Sequence, residues 1–196
     1  MIALLAGIAL AAPPPFVHVD QVDSYRGCTI LIGPQPPGGG VSEMRAVCHW
    51  PDVTLEAMHR VLSDYDGYGA FIECMAEVKI VQRDGKRVLV WQFDRLGRGL
   101  APRESQTWMT ETRFDGGFEI IWTSVGTPPF SIRPGSVLTP HNAGFWYVTA
   151  AADGGVDIVE HVAIDPGGAI PTWVVNWFQT YATADQLTKL HDLTAR

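Results

Sequence analysis

The sequence predicts an α+β fold in which hairpin strands make one antiparallel sheet and the helices stand apart from it. Three observations lead there. Strand-like segments come in pairs joined by the turn tripeptides Arg83-Asp84-Gly85, Asp115-Gly116-Gly117 and Asp153-Gly154-Gly155, and such tight connections join antiparallel neighbours. Helical periodicity is confined to a segment near residue 60 and to the C-terminal part, and helices segregated from a run of hairpins define α+β. With 46% hydrophobic and 18% charged residues among 196, the chain can build one sizeable core.

Residues 1–12, MIALLAGIALAA, are apolar but too short to span a bilayer. They resemble the apolar core of a signal peptide, with Ala9-Leu10-Ala11 as a small-residue cleavage site, although no Lys or Arg precedes them. On that reading the protein is exported, periplasmic or secreted, and residues 13–196 are a single domain. A mis-assigned start or a buried N-terminal segment is the alternative, with a cytoplasmic protein.

Pro13-Pro14-Pro15 is a spacer, and residues 19–32 and 42–50 are strand-like around the Pro/Gly connection 33–40. That connection lacks the Lys-Ser/Thr of a phosphate loop. If its flanks pair as a hairpin, positions summing to about 76 face each other, which brings Cys28 near Cys48. In an oxidising compartment the two form a disulfide; a one-residue slip puts them on opposite faces as buried thiols.

A helix is expected over 54–65, where Leu55, Met58, Val61 and Leu62 form an apolar stripe and Thr54 or Asp52 caps the start. A further short helical turn falls within 69–75. Strands follow at 76–82, 86–94, 103–114 and 118–125. Residues 126–135 make an irregular connection, one strand lies within 136–149, and another spans 156–164. Asp165-Pro166-Gly167-Gly168 makes a sharp turn into a helix over 170–181, with Pro171 in its first turn, that continues or restarts at 185–193.

Period-2 reading puts Leu89, Trp91 and Phe93 on one strand face, opposite Gln92, and Phe118, Ile120 and Trp122 on another. With Trp173, Trp177 and Tyr181 on the last helix, this is more apolar surface than a thin layer needs. It suits a cavity wall or, on the residues alone, an ordinary aromatic core. Glu160 and His161 are adjacent on one strand, so one points inward and the other out, and a Glu160 facing inward needs a partner such as Arg103. The net charge of −7 argues against a nucleic-acid partner. No metal spacing, cofactor motif, G-x-S-x-G or H-E-x-x-H is present.

Three stretches resemble one family. Asp165-Pro166-Gly167-Gly168-x-Ile170-Pro171-x-Trp173-x-x-Asn176 is similar to the C-terminal signature of START domains (steroidogenic acute regulatory protein-related lipid transfer), within the Bet v 1-like superfamily. Pro102-Arg103-Glu104 resembles the family's Pro-Arg-Asp, with Glu where Asp is usual, and Leu62-x-Asp64-Tyr65-x-x-Tyr68 resembles the end of its first helix. The resemblance implies a helix-grip fold: a curved antiparallel sheet wrapped around a long C-terminal helix, with an internal cavity for one lipid. Residues 89, 91, 93, 120, 122, 173, 177 and 181 then become cavity candidates, together with Arg103, Glu160 and His161. The expected partner is a sterol or phospholipid, met through transient membrane contact by a monomer without a cofactor. A Bet v 1-like cyclase or hydrolase, using Glu160 or His161, is the second expectation. An interaction or sensor module with a filled interior is the third.

Overall fold

The structure, a computed structural model, describes residues 21–33, 41–97, 99–125, 131–168, 170, 175 and 181–195. The expected signal peptide and most of the expected helix over 170–181, with Trp173 and Trp177, lie outside the described residues.

Ten strands form one sheet: β1 (Gln21–Tyr25), β2 (Cys28–Ile32), β3 (Ser42–Trp50), β4 (Met75–Asp84), β5 (Arg87–Asp94), β6 (Arg103–Phe114), β7 (Gly117–Ser124), β8 (Val137–Leu138), β9 (His141–Ala150) and β10 (Val156–Asp165). Their spatial order is β1-β2-β3-β10-β9-β7-β6-β5-β4. Every pairing is antiparallel except that of β8, which runs parallel to the first residues of β6. The three predicted hairpins form as expected, with Gly85, Gly116 and Gly154 in the left-handed region that their turns require. A fourth hairpin carries no such turn signal. Arg26 and Gly27, at φ 46° and 75°, split the stretch 19–32 into β1 and β2.

Among the described residues the complete helices are α1 (Leu55–Leu62), a 3₁₀ segment over Tyr65–Ala70, and α2 (Thr183–Thr194). Thr54 caps α1 by accepting from the Ala57 N–H at 3.1 Å. The helix stops at Leu62, short of the expected 65, and the chain tightens into the 3₁₀ turn, where the Tyr68 hydroxyl donates to the Leu62 carbonyl at 2.7 Å. Met58 and Leu62 of α1, and Leu187 and Leu190 of α2, are buried in one core with Met44, Ala46, Trp50, Phe118, Trp146 and Ile158 from the sheet. The His191 ring of α2 meets the Trp50 indole edge-on at 5.0 Å, and an isolated bridge joins Val53 to Ala195. These contacts hold α2 over the β3–β10 part of the inner face.

Cys28 lies directly opposite Cys48 in the β2–β3 register, and the two form a disulfide. Of the two outcomes left open by the sequence, the register that sums to 76 is the one formed. Its sequence separation of 20 corresponds to a loop-closure contribution of about 3 kcal/mol. The double variant Cys28→Ser/Cys48→Ser is therefore expected to lose about that much unfolding free energy in a urea titration.

Candidate functional site

Between the inner face of the sheet and α2 lies a cavity of about 160 Å³. Its apolar wall includes Met109 of β6, Trp122 of β7, Trp146 of β9, and Val162 and Ile164 of β10. Strand register explains why they meet. Met109 pairs with Trp122, Trp122 with Gly144, and Gly144 with Val162, so all these positions present the same face. A Cβ at position 144 would meet the Trp122 ring at 2.5 Å, so Gly144 makes room for that indole.

The polar part of the lining is mostly closed on itself. The Gln92 Oε1 accepts from the Ser105 hydroxyl at 2.6 Å and from Asn142 Nδ2 at 3.3 Å. Asn142 Oδ1 accepts from Trp122 Nε1 at 2.9 Å. Two carboxyl groups stand apart from this ladder. Glu160, 2% exposed, accepts from Gln186 Nε2 of α2 at 2.6 Å through Oε1, and its Oε2 has no partner. Asp94, at the end of β5, has a buried Oδ1 that is likewise unpartnered. Burial raises the Asp94 carboxyl to about 7 and the Glu160 carboxyl to about 8, the latter slightly opposed by the Gln186 hydrogen bond.

The structure decides between Glu160 and His161. Glu160 faces the cavity with Val162 and Ile164, and Ile158 on the same face is buried in the core. His161 takes the opposite face, where it stacks on Phe145 at 5.4 Å, and burial and then Arg45 lower its pKa. The expected face of β5 is corrected. Gln92 and Asp94 line the cavity, whereas Leu89, Trp91 and Phe93 occupy the outer face. There Trp91 and Phe93 seat the Arg133 guanidinium at 4.7 and 4.5 Å, and Trp91 Nε1 donates to Glu104 at 2.9 Å. Arg133 in turn makes two hydrogen bonds to Glu77, at 2.7 and 2.8 Å. Of the β7 expectations, Trp122 lines the cavity and Ile120 is buried in the core on the same face. Tyr181 is 63% exposed at the start of the C-terminal segment, away from this cavity. Met109, Asn142, Trp146 and Gln186 were not anticipated. Alternation along β9 was the available signal for Trp146.

Arg103 does not meet Glu160. It is buried and donates to the carbonyls of Ala101, Pro166 (3.3 Å) and Gly167 (3.1 Å). Desolvation lowers its pKa. Its role is to tie the turn after β10 to the start of β6, and Gly167 and Gly168 (φ 68° and 69°) supply the backbone shape that presents those carbonyls. Arg103→Ala leaves buried carbonyls without a donor and is expected to cost about 2 kcal/mol in thermal or urea unfolding.

No family model matches the chain. A curated relative, the uncharacterized protein PA1579 of Pseudomonas aeruginosa, is 24% identical over 154 residues, covering 77% of this chain and 71% of that one. Among solved structures, human StAR-related lipid transfer protein 5 matches with a TM-score of 0.77 at 17% identity, over 89% of this chain and 85% of that one. The STAR-related lipid transfer protein of Xanthomonas axonopodis matches at 0.74 and 19%, over 88% and 96%. The Zhui aromatase/cyclase of Streptomyces sp. R1128 matches at 0.55 and 12%, over 79% and 94%. The antiparallel sheet, its cavity and the C-terminal helix set across its inner face are thus those of the helix-grip fold: this chain has the fold of a START domain.

Proposed function

We propose that this protein is a START-type lipid-binding protein that encloses the apolar part of one lipid between its sheet and its C-terminal helix and shields it from water. The observation that carries this reading is the cavity of about 160 Å³ with its wall of Met109, Trp122, Trp146, Val162 and Ile164. Removing apolar ligand surface from water supplies roughly 25 cal/mol per Å². A cavity of this size resembles one of ~150 Å³ that holds a benzene ring. A ring or a few methylenes fit it as it stands, and a whole sterol or acyl chain needs the walls to part. Displacement of α2 from the sheet would provide that. Export is part of the proposal: the Cys28–Cys48 disulfide suits an oxidising compartment, in keeping with the signal-like residues 1–12.

A vesicle assay tests the reading. The protein is expected to move a fluorescent sterol or phosphatidylcholine from donor to acceptor vesicles faster than the spontaneous rate; no acceleration for either would count against it. A cyclase or hydrolase is the second reading. It is favoured by the likeness to the aromatase/cyclase fold and by Glu160, whose carboxyl stays protonated to about pH 8 inside the cavity and can act as a general acid. On that reading Glu160→Gln abolishes turnover of a hydrophobic substrate. His161, on the outer face, has no part in it.

A further inference from the structure

The cavity carries a selectivity that its apolar wall does not explain. Among the described residues lining it, the buried side-chain atoms without a hydrogen-bond partner are Glu160 Oε2 and Asp94 Oδ1. Both belong to acids. No Lys, Arg or His is among those lining residues. The neighbouring titratable groups supply no counter-charge. Cys74 faces Asp94, and burial pushes its thiol up to about 12. Tyr68 faces Glu160, and burial pushes its phenol well above its usual value. Gln186 is neutral and already engaged with Glu160 Oε1. Arg103, the cation expected nearby, is committed to backbone carbonyls. The polar groups of Gln92, Asn142 and Trp122 are paired with one another and with Ser105.

A buried acid with a free oxygen is costly unless something completes it. An N⁺–H donor satisfies a carboxylate about twice as strongly as a neutral donor does. A phosphate or carboxylate would instead face two acids with no cation between them. We infer that the cavity selects a hydrophobic molecule whose polar end is an amine, received by Glu160 Oε2, and rejects anionic lipids. This rests on the lipid-binding reading and names the ligand class of the same cavity.

Four decyl amphiphiles test it: decylamine, decanol, decanoate and decyl phosphate, titrated calorimetrically and by the fluorescence of the tryptophans lining the cavity. At pH 8 decylamine is expected to bind at least tenfold more tightly than decanol, and the two anions at least tenfold more weakly than decanol. The amine's advantage should shrink from pH 8 to pH 6, because the carboxyls must give up their protons to receive the ammonium. Glu160→Gln, checked for folding by circular dichroism, should reduce the preference for amine over alcohol at least tenfold, and Asp94→Asn should reduce it less. If Glu160→Gln fails to fold, the pH dependence of the native protein decides. Decanol binding as tightly as decylamine, an anion binding best, a folded Glu160→Gln that keeps the preference, or an amine advantage that does not shrink at pH 6 would overturn the inference while leaving lipid binding intact. If none of the four binds, the lipid-binding reading falls and the inference falls with it.

Discussion

At pH 9 the double variant Asp94→Asn/Glu160→Gln is expected to be more stable than the native protein by several kcal/mol, and at pH 4 by far less. The cause is two acids that each keep one unpartnered oxygen, Glu160 fully and Asp94 partly buried. Asp94 is raised from 3.8 to about 7 and Glu160 from 4.5 to about 8. Both folded values exceed the unfolded ones, so the folded state holds protons that the unfolded chain releases across this window. Stability from these groups is therefore fully present below about pH 4 and is lost as pH rises to about 8. A tenfold change in proton affinity corresponds to about 1.4 kcal/mol, which puts the fully buried Glu160 at several kcal/mol and the partly exposed Asp94, screened by solvent, at less. Amide side chains of the same shape do not titrate and remove this dependence. Urea unfolding of both proteins from pH 4 to pH 9 reads the difference directly. Curves that stay parallel over that range would mean that the two carboxyls are paired or hydrated in the folded protein. A bound amine would restore the native protein's stability at high pH, which links this prediction to ligand selectivity.

Trp146→Ala is expected to cost about 3–5 kcal/mol, the range for truncating a large buried aromatic side chain. Trp146 is 2% exposed at the centre of the sheet, where β9 pairs with β7 and β10, and it belongs both to the cavity wall and to the core. The same truncation enlarges the cavity. Binding of a bulkier ligand is thus expected to improve relative to a slim one even as the midpoint of unfolding falls. A loss below about 1 kcal/mol would place the Trp146 indole outside the packed interior.

The fold was legible in the sequence wherever one face of a strand was polar. β7 alternates Phe118, Ile120 and Trp122 with Glu119, Ile121 and Thr123, and its inner face follows. β5 does not alternate. Residues 88–93 are buried on both faces, because the segment carrying Arg133 covers the outer one. Bulk then misled: Trp91 and Phe93 went to the outer layer. Gln92 looked like a solvent residue but is satisfied inside by Ser105 and Asn142, partners on other strands that no local pattern reveals. Arg103 was recognisable as a special position, though not its task. Two of its three acceptors are backbone carbonyls some sixty residues away, and carbonyls leave no mark in a sequence. Glu160 was identified as a residue that needs a partner if it faces inward. Its partner Gln186 came from α2, whose placement depends on tertiary packing.

Native mass spectrometry of the protein purified gently from the cells that make it tests the central claim most directly. The account predicts a one-to-one adduct whose mass, after release and fragmentation, is that of a single hydrophobic molecule. A clean apoprotein that also takes up neither sterols, phospholipids nor long-chain amines when they are offered would contradict it.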